Sequence, residues 1–212
     1  MGDLGDPYAD LVDLQSRLGG TNNSGDDAAM TSALLVVSRG IEKFCHRQFN
    51  KATSATARAY GTQSVGTCVL SKNVAIVDDF HTTTGLVIAT DTSDDGTYAT
   101  TWATSDRQLE PLNGIVDGET GWPYWLIRAV GSNAFPMTLR RAPLQVTAQW
   151  GWTAVPHAIK EACLVVAEET FKLKDAPFGV ANLGEWGVAR VKANPMAMAM
   201  LAPYRRDAVL VM

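Results

Sequence analysis

Residues 144–171 read LQVTAQWGWTAVPHAIKEACLVVAEETF, and the spacing of their apolar side chains changes partway through. Leu144–Trp150 alternates apolar and polar residues, which predicts a β-strand. Val155-Pro156 then predicts the start of a helix, because proline is favoured at the first helical position. The helix is expected to end near Lys172 and Lys174, with one face formed by Ile159, Cys163, Val166, Thr170 and Phe171. This stretch therefore marks the boundary between a β region and a helical region.

Upstream of this boundary, residues 54–152 are rich in threonine, valine, glycine and tryptophan, and their apolar positions follow a period of two. The Asp94-Asp95-Gly96 sequence supplies the positive φ that a tight turn requires, so it predicts a hairpin. Repeated turn signals indicate a compact antiparallel sheet or a small barrel. The predicted strands are Thr56–Tyr60, Thr67–Leu70, Val74–Val77, Leu86–Thr90, Tyr98–Thr101, Arg107–Leu109, Trp125–Val130 and Leu144–Trp150.

Residues 1–53 have helical spacing instead. Asp6-Pro7 predicts the start of a first helix and Gly19-Gly20 its end. Ser24-Gly25-Asp26-Asp27 predicts the start of a longer helix, with acidic groups near the positive end of the helix dipole. Gly40 inside that helix costs about 1 kcal/mol relative to alanine, so we expect close packing against a neighbour there. The apolar stripe of the longer helix is Met30, Ala33, Leu34, Val37, Ile41, Phe44 and Cys45.

Beyond the boundary helix, residues 175–194 are rich in glycine and lack a sustained period, so they are predicted to form a long loop. Asn194-Pro195 predicts a short helix through Leu201, broken by Pro203. Because helices flank the β region on both sides, we predict an α+β fold with a discontinuous α-helical bundle and an inserted antiparallel β-sheet or barrel module. The expected helical domain takes residues 1–53 and 153–206, the β module residues 54–152, and a C-terminal tail residues 207–212.

Composition excludes several classes of protein. The chain has 212 residues, of which 46% are hydrophobic and 19% charged, as in ordinary globular proteins. Its formal net charge of −4 argues against a generally basic nucleic-acid binder. No apolar run is long enough to span a bilayer and no secretory signal is evident, so no membrane association is expected. Three cysteines without a CxxC spacing favour a reduced, intracellular site of synthesis.

No motif for catalysis or for a cofactor is present. His46, His81 and His157 fall on different predicted elements without metal-ligand spacing, so we predict no catalytic residue, metal or cofactor. The Asp91-x-Ser93-x-Asp95-Gly96 pattern imitates the start of a calcium loop, but Trp102 stands where the bidentate glutamate belongs, which favours the hairpin turn. Glu161 and Glu168-Glu169 share a helix with lysines, which is typical of a solvated face rather than an acid/base pair.

Charge is distributed unevenly along the chain. Residues 1–27 carry six acids and one base, whereas residues 172–212 carry six bases and three acids. Opposed ends suit head-to-tail contact between copies, although two solvated termini would show the same pattern. The apolar segment Val209–Met212 follows an arginine pair and either adds a strand to a partner's sheet or folds back onto its own core. The candidate subunit–subunit contacts are Asp10, Asp13, Asp26, Asp27, Lys172 and Lys174.

The order of these segments resembles a known family. It begins with YADLVDLQSRL at residues 8–18, and a long helix ends in IEKFCHRQF at residues 41–49. The β region closes with VTAQWGW at 146–152, followed by FKLKDAPFGV at 171–180 and LAPYRR at 201–206. This arrangement resembles the head-to-tail adaptor (connector) proteins of tailed bacteriophages, in the long, β-inserted form found in siphophages of actinobacteria.

The resemblance implies a structural virion protein rather than an enzyme. Twelve copies would form a dodecameric ring beneath the portal at the capsid vertex, after synthesis in the host cytoplasm. The ring would extend the DNA channel and join the capsid to stopper or tail-terminator proteins. Genomic DNA would pass through it without sequence-specific binding. By resemblance, the portal-docking arm is Pro203, Tyr204, Arg205, Arg206, Val209, Leu210, Val211 and Met212.

The predicted loop offers a second candidate interface, through Phe178, Leu183 and Trp186, because long loops in compact domains usually serve a function. Trp150 and Trp152 are interpreted as core or module-junction residues, with inter-subunit packing as the alternative. Rival functions are a stopper or tail-completion protein of the phage neck, and an enzyme of unrecognised type. A third rival is a carbohydrate-binding module, which would use Trp102, Trp122, Tyr124 and Trp125.

Overall fold

The computed structural model describes residues 3–20, 24–62, 68–137, 141–173 and 183–206. The chain divides into two compact units. The first, called the helical unit here, comprises Met1–Asn50 and Ala154–Arg206, and the second, the sheet unit, comprises Lys51–Thr153. The predicted α+β class is confirmed, since helices and an antiparallel sheet account for the regular structure.

Five α-helices are seen among the described residues of the helical unit. They are α1 (Leu11–Arg17), α2 (Asp27–Cys45), α3 (His157–Lys172), α4 (Leu183–Ala193) and α5 (Pro195–Leu201). Helix α2 packs against α1, α3 and α4. Every residue of its predicted apolar stripe is buried, as the 3.6-residue period requires. On α3, Ile159, Cys163 and Val166 are buried as predicted, whereas Thr170 and Phe171 are only half-buried.

The start of the first helix differs from the prediction. Helix α1 begins at Leu11 rather than at Asp6-Pro7. The reason lies in tertiary contacts, because the buried Tyr8 donates its N–H to Ser38 Oγ on α2 at 3.0 Å. This bond holds the preceding segment against α2 instead of in a helical turn. The predicted end is confirmed, since Gly19 and Gly20 have φ of +93° and +72°.

Residues 183–193 form helix α4, so the predicted loop over 175–194 is wrong for that part. Gly187, one of the glycines that suggested a loop, instead allows close packing of α4 on α2. A Cβ on Gly40 would lie 2.5 Å from the carbonyl carbon of Gly187 on α4, and a Cβ on Gly187 would collide with the Val36 carbonyl oxygen of α2. The close contact expected at Gly40 is thus confirmed. Helix α5 has the predicted bounds, and Asn194 Oδ1 caps it by accepting the Ala197 N–H at 2.8 Å.

The sheet unit is built on one long strand. The strands are β1 (Thr56–Tyr60), β2 (Val69–Leu70), β3 (Val74–Thr90), β4 (Thr100–Thr101), β5 (Arg107–Glu110), β6 (Ile115–Val116), β7 (Glu119–Thr120), β8 (Tyr124–Ala129) and β9 (Leu144–Trp150). The main sheet is antiparallel in the order β1-β9-β3-β8-β5, with β2 and β4 also paired to β3, and β6 and β7 form a separate two-stranded sheet.

The predicted strands Val74–Val77 and Leu86–Thr90 are two parts of the single strand β3. The residues between them include exposed threonines that broke the apolar pattern in the sequence. Register shifts on both sides of Thr82 let the strand continue through this polar stretch. The predicted hairpin is confirmed, because β3 pairs with β4 and Asp94 and Gly96 have φ of +55° and +91°.

The core of the sheet unit follows the alternation read from the sequence. In β9 the buried positions are Leu144, Val146, Ala148 and Trp150. Trp150 lies 6.3 Å from the Phe80 ring, centroid to centroid, and donates its indole N–H to the Thr56 carbonyl at 2.9 Å. Trp152 donates its indole N–H to Asp79 Oδ2 at 3.0 Å. Both tryptophans are therefore buried within the sheet unit.

Candidate interaction surfaces

The first residues of the predicted docking arm pack on the helical unit. The Tyr204 ring makes an edge contact with Phe49 at 6.1 Å, and the Arg205 guanidinium lies 5.6 Å from the Phe44 ring centroid. Arg206 is 6% exposed and donates its N–H to the Cys45 carbonyl at 2.9 Å. These residues therefore stabilise the end of α2. The rest of the predicted arm, Val209, Leu210, Val211 and Met212, lies outside the described residues.

The structure describes two of the three residues of the predicted loop interface. Leu183 and Trp186 belong to helix α4 rather than to a loop. Phe178 lies outside the described residues. The three residues stay candidates for an interface.

Asp13, Asp27 and Lys172, which are among the predicted subunit contacts, each contact a side chain inside the helical unit. Lys160 Nζ lies 2.8 Å from Asp13 Oδ2, and this hydrogen bond lowers the Asp13 pKa. Asp27 accepts a hydrogen bond from Gln15 Nε2 at 2.8 Å, and Lys172 pairs with Glu168 at 2.6 Å. Asp10 stands exposed just before α1, Asp26 precedes α2, and Lys174 lies outside the described residues.

An ion-pair network joins α1 to α3, and the sequence analysis missed it. Arg17 Nη1 lies 3.1 Å from Glu161 Oε2, and Arg17 Nε lies 3.0 Å from Glu168 Oε2. The Glu168 pKa is lowered, first by Lys172 and then by Arg17. Since these side chains are partly exposed, the pairs orient the helices more than they stabilise them. The acids on α3 are thus part of a solvated ion-pair face, as the lysines on that helix indicated.

A buried polar cluster fixes the N-terminal segment to α2. The Tyr8 hydroxyl donates to Glu42 Oε1 at 2.6 Å and accepts the Phe49 N–H at 3.1 Å. Arg39 Nη2 lies 2.9 Å from the same Glu42 oxygen. Burial raises the pKa of both Glu42 and Tyr8. The hydrogen bonds of Tyr8 to Glu42, Phe49 and Ser38 therefore hold the segment in place.

The nucleophilic and metal-binding side chains do not converge. Burial raises the pKa of Cys163 to about 11 and of Cys45 to about 12, which keeps both thiols protonated near neutral pH. His46 ends α2 and His157 begins α3, whereas His81 lies on β3 in the other unit. Among the residues that the structure describes, no three His, Cys, Asp or Glu side chains are grouped so that they could hold a metal ion.

The acidic turn that imitates a calcium loop is used for backbone hydrogen bonds. The Asp91 carboxylate accepts the N–H groups of Ser93 at 3.2 Å, Asp95 at 3.3 Å and Gly96 at 2.7 Å. These bonds lower the Asp91 pKa against the opposing effect of desolvation. The turn therefore has a structural explanation in the hairpin itself.

Two of the four aromatic side chains suggested for carbohydrate binding are buried against other aromatic rings. Trp102 is 7% exposed and stacks on Phe135, with ring centroids 4.5 Å apart and planes within 10°. Trp122 is 8% exposed and packs against Trp152 at 4.9 Å. A sugar-binding platform needs open ring faces, which these two tryptophans do not offer. Tyr124 and Trp125 are half-buried on β8.

A groove opens on the helical unit between the N-terminal segment and α2. Its volume is about 270 Å³. Apolar atoms and two exposed carboxylates share its surface, and the lining residues are Asp6, Pro7, Ala9, Asp10, Leu11, Thr31 and Leu34. The 37% exposed Leu35 lies next to Leu34 on α2, and the 72% exposed Val12 follows Leu11 on α1. The lining of the groove is therefore mainly polar and negatively charged, and its apolar part is the half-buried Pro7 and Leu11.

No α-helix within the described ranges is both long and apolar enough to cross a membrane. No protein-family model matches the sequence, and no curated protein matches it.

Two solved structures contain chains with the same fold. One is the neck of an empty gene transfer agent (GTA) particle computed with C6 symmetry, in which the matching chain has a TM-score of 0.54 and 18% identity. The other is the virion of a native GTA particle, with a TM-score of 0.54 and 17% identity. Each match covers 97% of this chain and 93% of the other. The chain therefore has the fold of chains found in a virus-like particle and, in one case, its neck.

Proposed function

We propose that this chain is a structural component of the neck of a tailed phage or phage-like particle. The observation that carries the proposal is the agreement over 97% of this chain and 93% of a chain in a GTA neck. A match of that extent includes both the discontinuous helical unit and the inserted sheet unit. The scattered histidines and the protonated buried thiols are consistent with an assembly role rather than catalysis.

Within the neck, we propose the adaptor position. Copies of the chain would stand in a ring beneath the portal and extend the DNA channel. A dodecamer is compatible with the C6 symmetry used for the GTA neck, because twelve copies make six pairs. The mildly acidic chain, with a net charge of −4, would let DNA pass without gripping its phosphates. A stopper position in the same neck is the second candidate, since the fold match alone does not separate the two.

Cryo-electron microscopy of the particle that contains this chain tests the proposal. We expect a ring of this fold at the capsid vertex, with the portal on one side and the stopper or tail on the other. Particles assembled without the chain should be capsids that lack tails. A neck without density for this fold would contradict the proposal. A ring one layer further from the portal would assign the chain as the stopper.

The proposed docking arm has its own test. Residues 204–206 pack on Phe44, Cys45 and Phe49, so a truncation that removes them would disturb the helical unit. The informative truncation begins at Asp207. We expect this variant to keep the thermal transition of the full chain and to lose binding to purified portal protein. Undiminished portal binding would show that residues 207–212 are not the arm.

A further inference from the structure

The corner between α4 and α5 presents apolar side chains to solvent. Met196 is 59% exposed and Met198 38% exposed, although methionine is usually buried. Lys192, Ala193, Pro195 and Ala199 are exposed around them. Helix α5 itself carries no charged residue. The corner is therefore an apolar projection with one cation beside it, and we call these six residues the corner.

The corner and the groove have complementary properties. The corner ends in flexible methionine side chains, which fit irregular cavities well. The groove has a volume of about 270 Å³, offers the half-buried Pro7 and Leu11 as apolar contacts, and carries the carboxylates of Asp6 and Asp10. Lys192 of the corner has the opposite sign. The segments that contain the two surfaces also differ in charge. Residues 3–20, which contribute to the groove, have four acids and one base, whereas residues 183–206, which contain the corner, have four bases and one acid.

The groove and the corner are formed by different elements of the helical unit. Helix α1, beside the groove, packs on α2 and α3, whereas α5 packs on α3 and α4. Among the described residues, the lining of the groove includes no member of the corner. Because the corner does not fill the groove of its own chain, the contact that we consider is with the groove of another copy. Such a contact is heterologous, and it closes into a ring when the rotation between copies permits.

We propose that the groove of one copy binds the corner of a second copy, with Met196 against Pro7 and Leu11 and Lys192 near Asp6 and Asp10. This inference rests on the proposed function, since it supplies the contact between neighbours in the ring. Of the six residues predicted from the sequence as subunit contacts, only Asp10 lies on the proposed surface.

Two substitutions separate the two halves of the contact. Thr31→Arg places a bulky cation in the groove at an exposed position of α2. Met196→Glu places an acid on the corner, in the first turn of α5, where the helix dipole favours negative charge. Neither change removes a buried side chain, so both variants should keep the wild-type thermal transition. The matched controls are Thr83→Arg and Leu112→Glu, at exposed positions of the sheet unit.

Sedimentation velocity of the full-length chain gives the readout. We expect the wild type and both controls to self-associate, and each variant to show a dissociation constant raised more than about tenfold. An equimolar mixture of the two variants should form a one-to-one dimer and nothing larger. In that pair, the intact corner of the Thr31→Arg chain meets the intact groove of the Met196→Glu chain, and no second contact is left.

Four results would overturn the inference. They are a wild-type chain that stays monomeric up to about 1 mM, variants that associate like wild type, controls that weaken association as much as the variants, and a variant mixture that stays monomeric. Loss of association in a chain truncated at Asp207, with Thr31→Arg unaffected, would instead assign the contact to the C-terminal tail. The proposed function fails separately, if this fold is missing from the particle neck, whatever the chain does in solution.

Discussion

At the scale of single residues, Tyr8 is the contact on which the N-terminal segment depends. Its hydroxyl donates to Glu42 and accepts the buried Phe49 N–H. Tyr8→Phe should lower the free energy of unfolding by about 1–3 kcal/mol, because the Phe49 N–H loses its partner without gaining water. Urea unfolding measures the change. Tyr98→Phe is the control, since that hydroxyl makes one part-buried bond to the Ala142 carbonyl and should cost no more than about 1 kcal/mol. Equal costs would contradict this account.

Glu42 should make stability depend on pH. Burial raises its pKa, so the folded chain holds the proton more tightly than the unfolded chain. Ionisation of Glu42 therefore destabilises the fold. This destabilisation is absent below the pKa of Glu42 in the unfolded chain, about 4.3. It is complete above the raised pKa of Glu42 in the folded chain. The free energy of unfolding of Glu42→Gln should therefore increase relative to that of wild type as the pH rises from about 4 to about 7.

Glu110 provides the opposite case. Its hydrogen bond from Arg128 lowers its pKa, so its ionised form stabilises the fold above the unfolded pKa and this contribution is lost as the pH falls. Glu110→Gln should therefore lose stability relative to wild type as the pH rises over the same range. Urea unfolding of both variants at the two pH values gives the signs. Two differences of the same sign would disprove the assignment.

At the scale of elements, the pairing of α2 with α4 depends on two glycines. Alanine at position 40 would favour the helix by about 1 kcal/mol, but its Cβ would stand 2.5 Å from the Gly187 carbonyl carbon. Because backbone atoms cannot turn away as a flexible side chain can, we expect Gly40→Ala to destabilise the chain by about 1–3 kcal/mol net. Ser32→Ala, at an exposed position of α2, should stay within about 0.5 kcal/mol of wild type. A stabilised Gly40→Ala variant would contradict the packing.

At the scale of the whole molecule, the sheet unit is continuous in sequence and has its own core. Phe80, Ile127, Val146 and Trp150 belong to this unit and are at most 1% exposed in the whole chain. Residues 51–153 produced alone should therefore unfold cooperatively in urea. Trp150→Ala in that fragment should cost about 3–5 kcal/mol, as expected for loss of a large core side chain. A fragment without a cooperative transition would show that its core needs the rest of the chain.

Local patterns predicted those elements whose structure depends on their own residues. The stripe of α2, the alternation of β9 and the cap of α5 each follow from side chains within the element or next to it. The Asp94-Asp95-Gly96 turn was predictable for the same reason, since positive φ is a local requirement. For the interaction surfaces, the charged ends were visible in the sequence, but the partners of Asp13, Asp27 and Lys172 inside the helical unit were not.

The alternation of helical, β and helical regions follows from the order of the residues alone, because hydrophobic period and turn chemistry are local properties. The remaining features depend on contacts between distant segments. Helix α4 forms in a glycine-containing segment that is typical of a loop, and its Gly187 lies against α2. Asp6-Pro7 does not begin a helix because Tyr8 is bonded to Ser38, and the groove exists because two separated segments meet. Each of these outcomes depends on residues far apart in the chain, whose proximity is fixed by burying a common core.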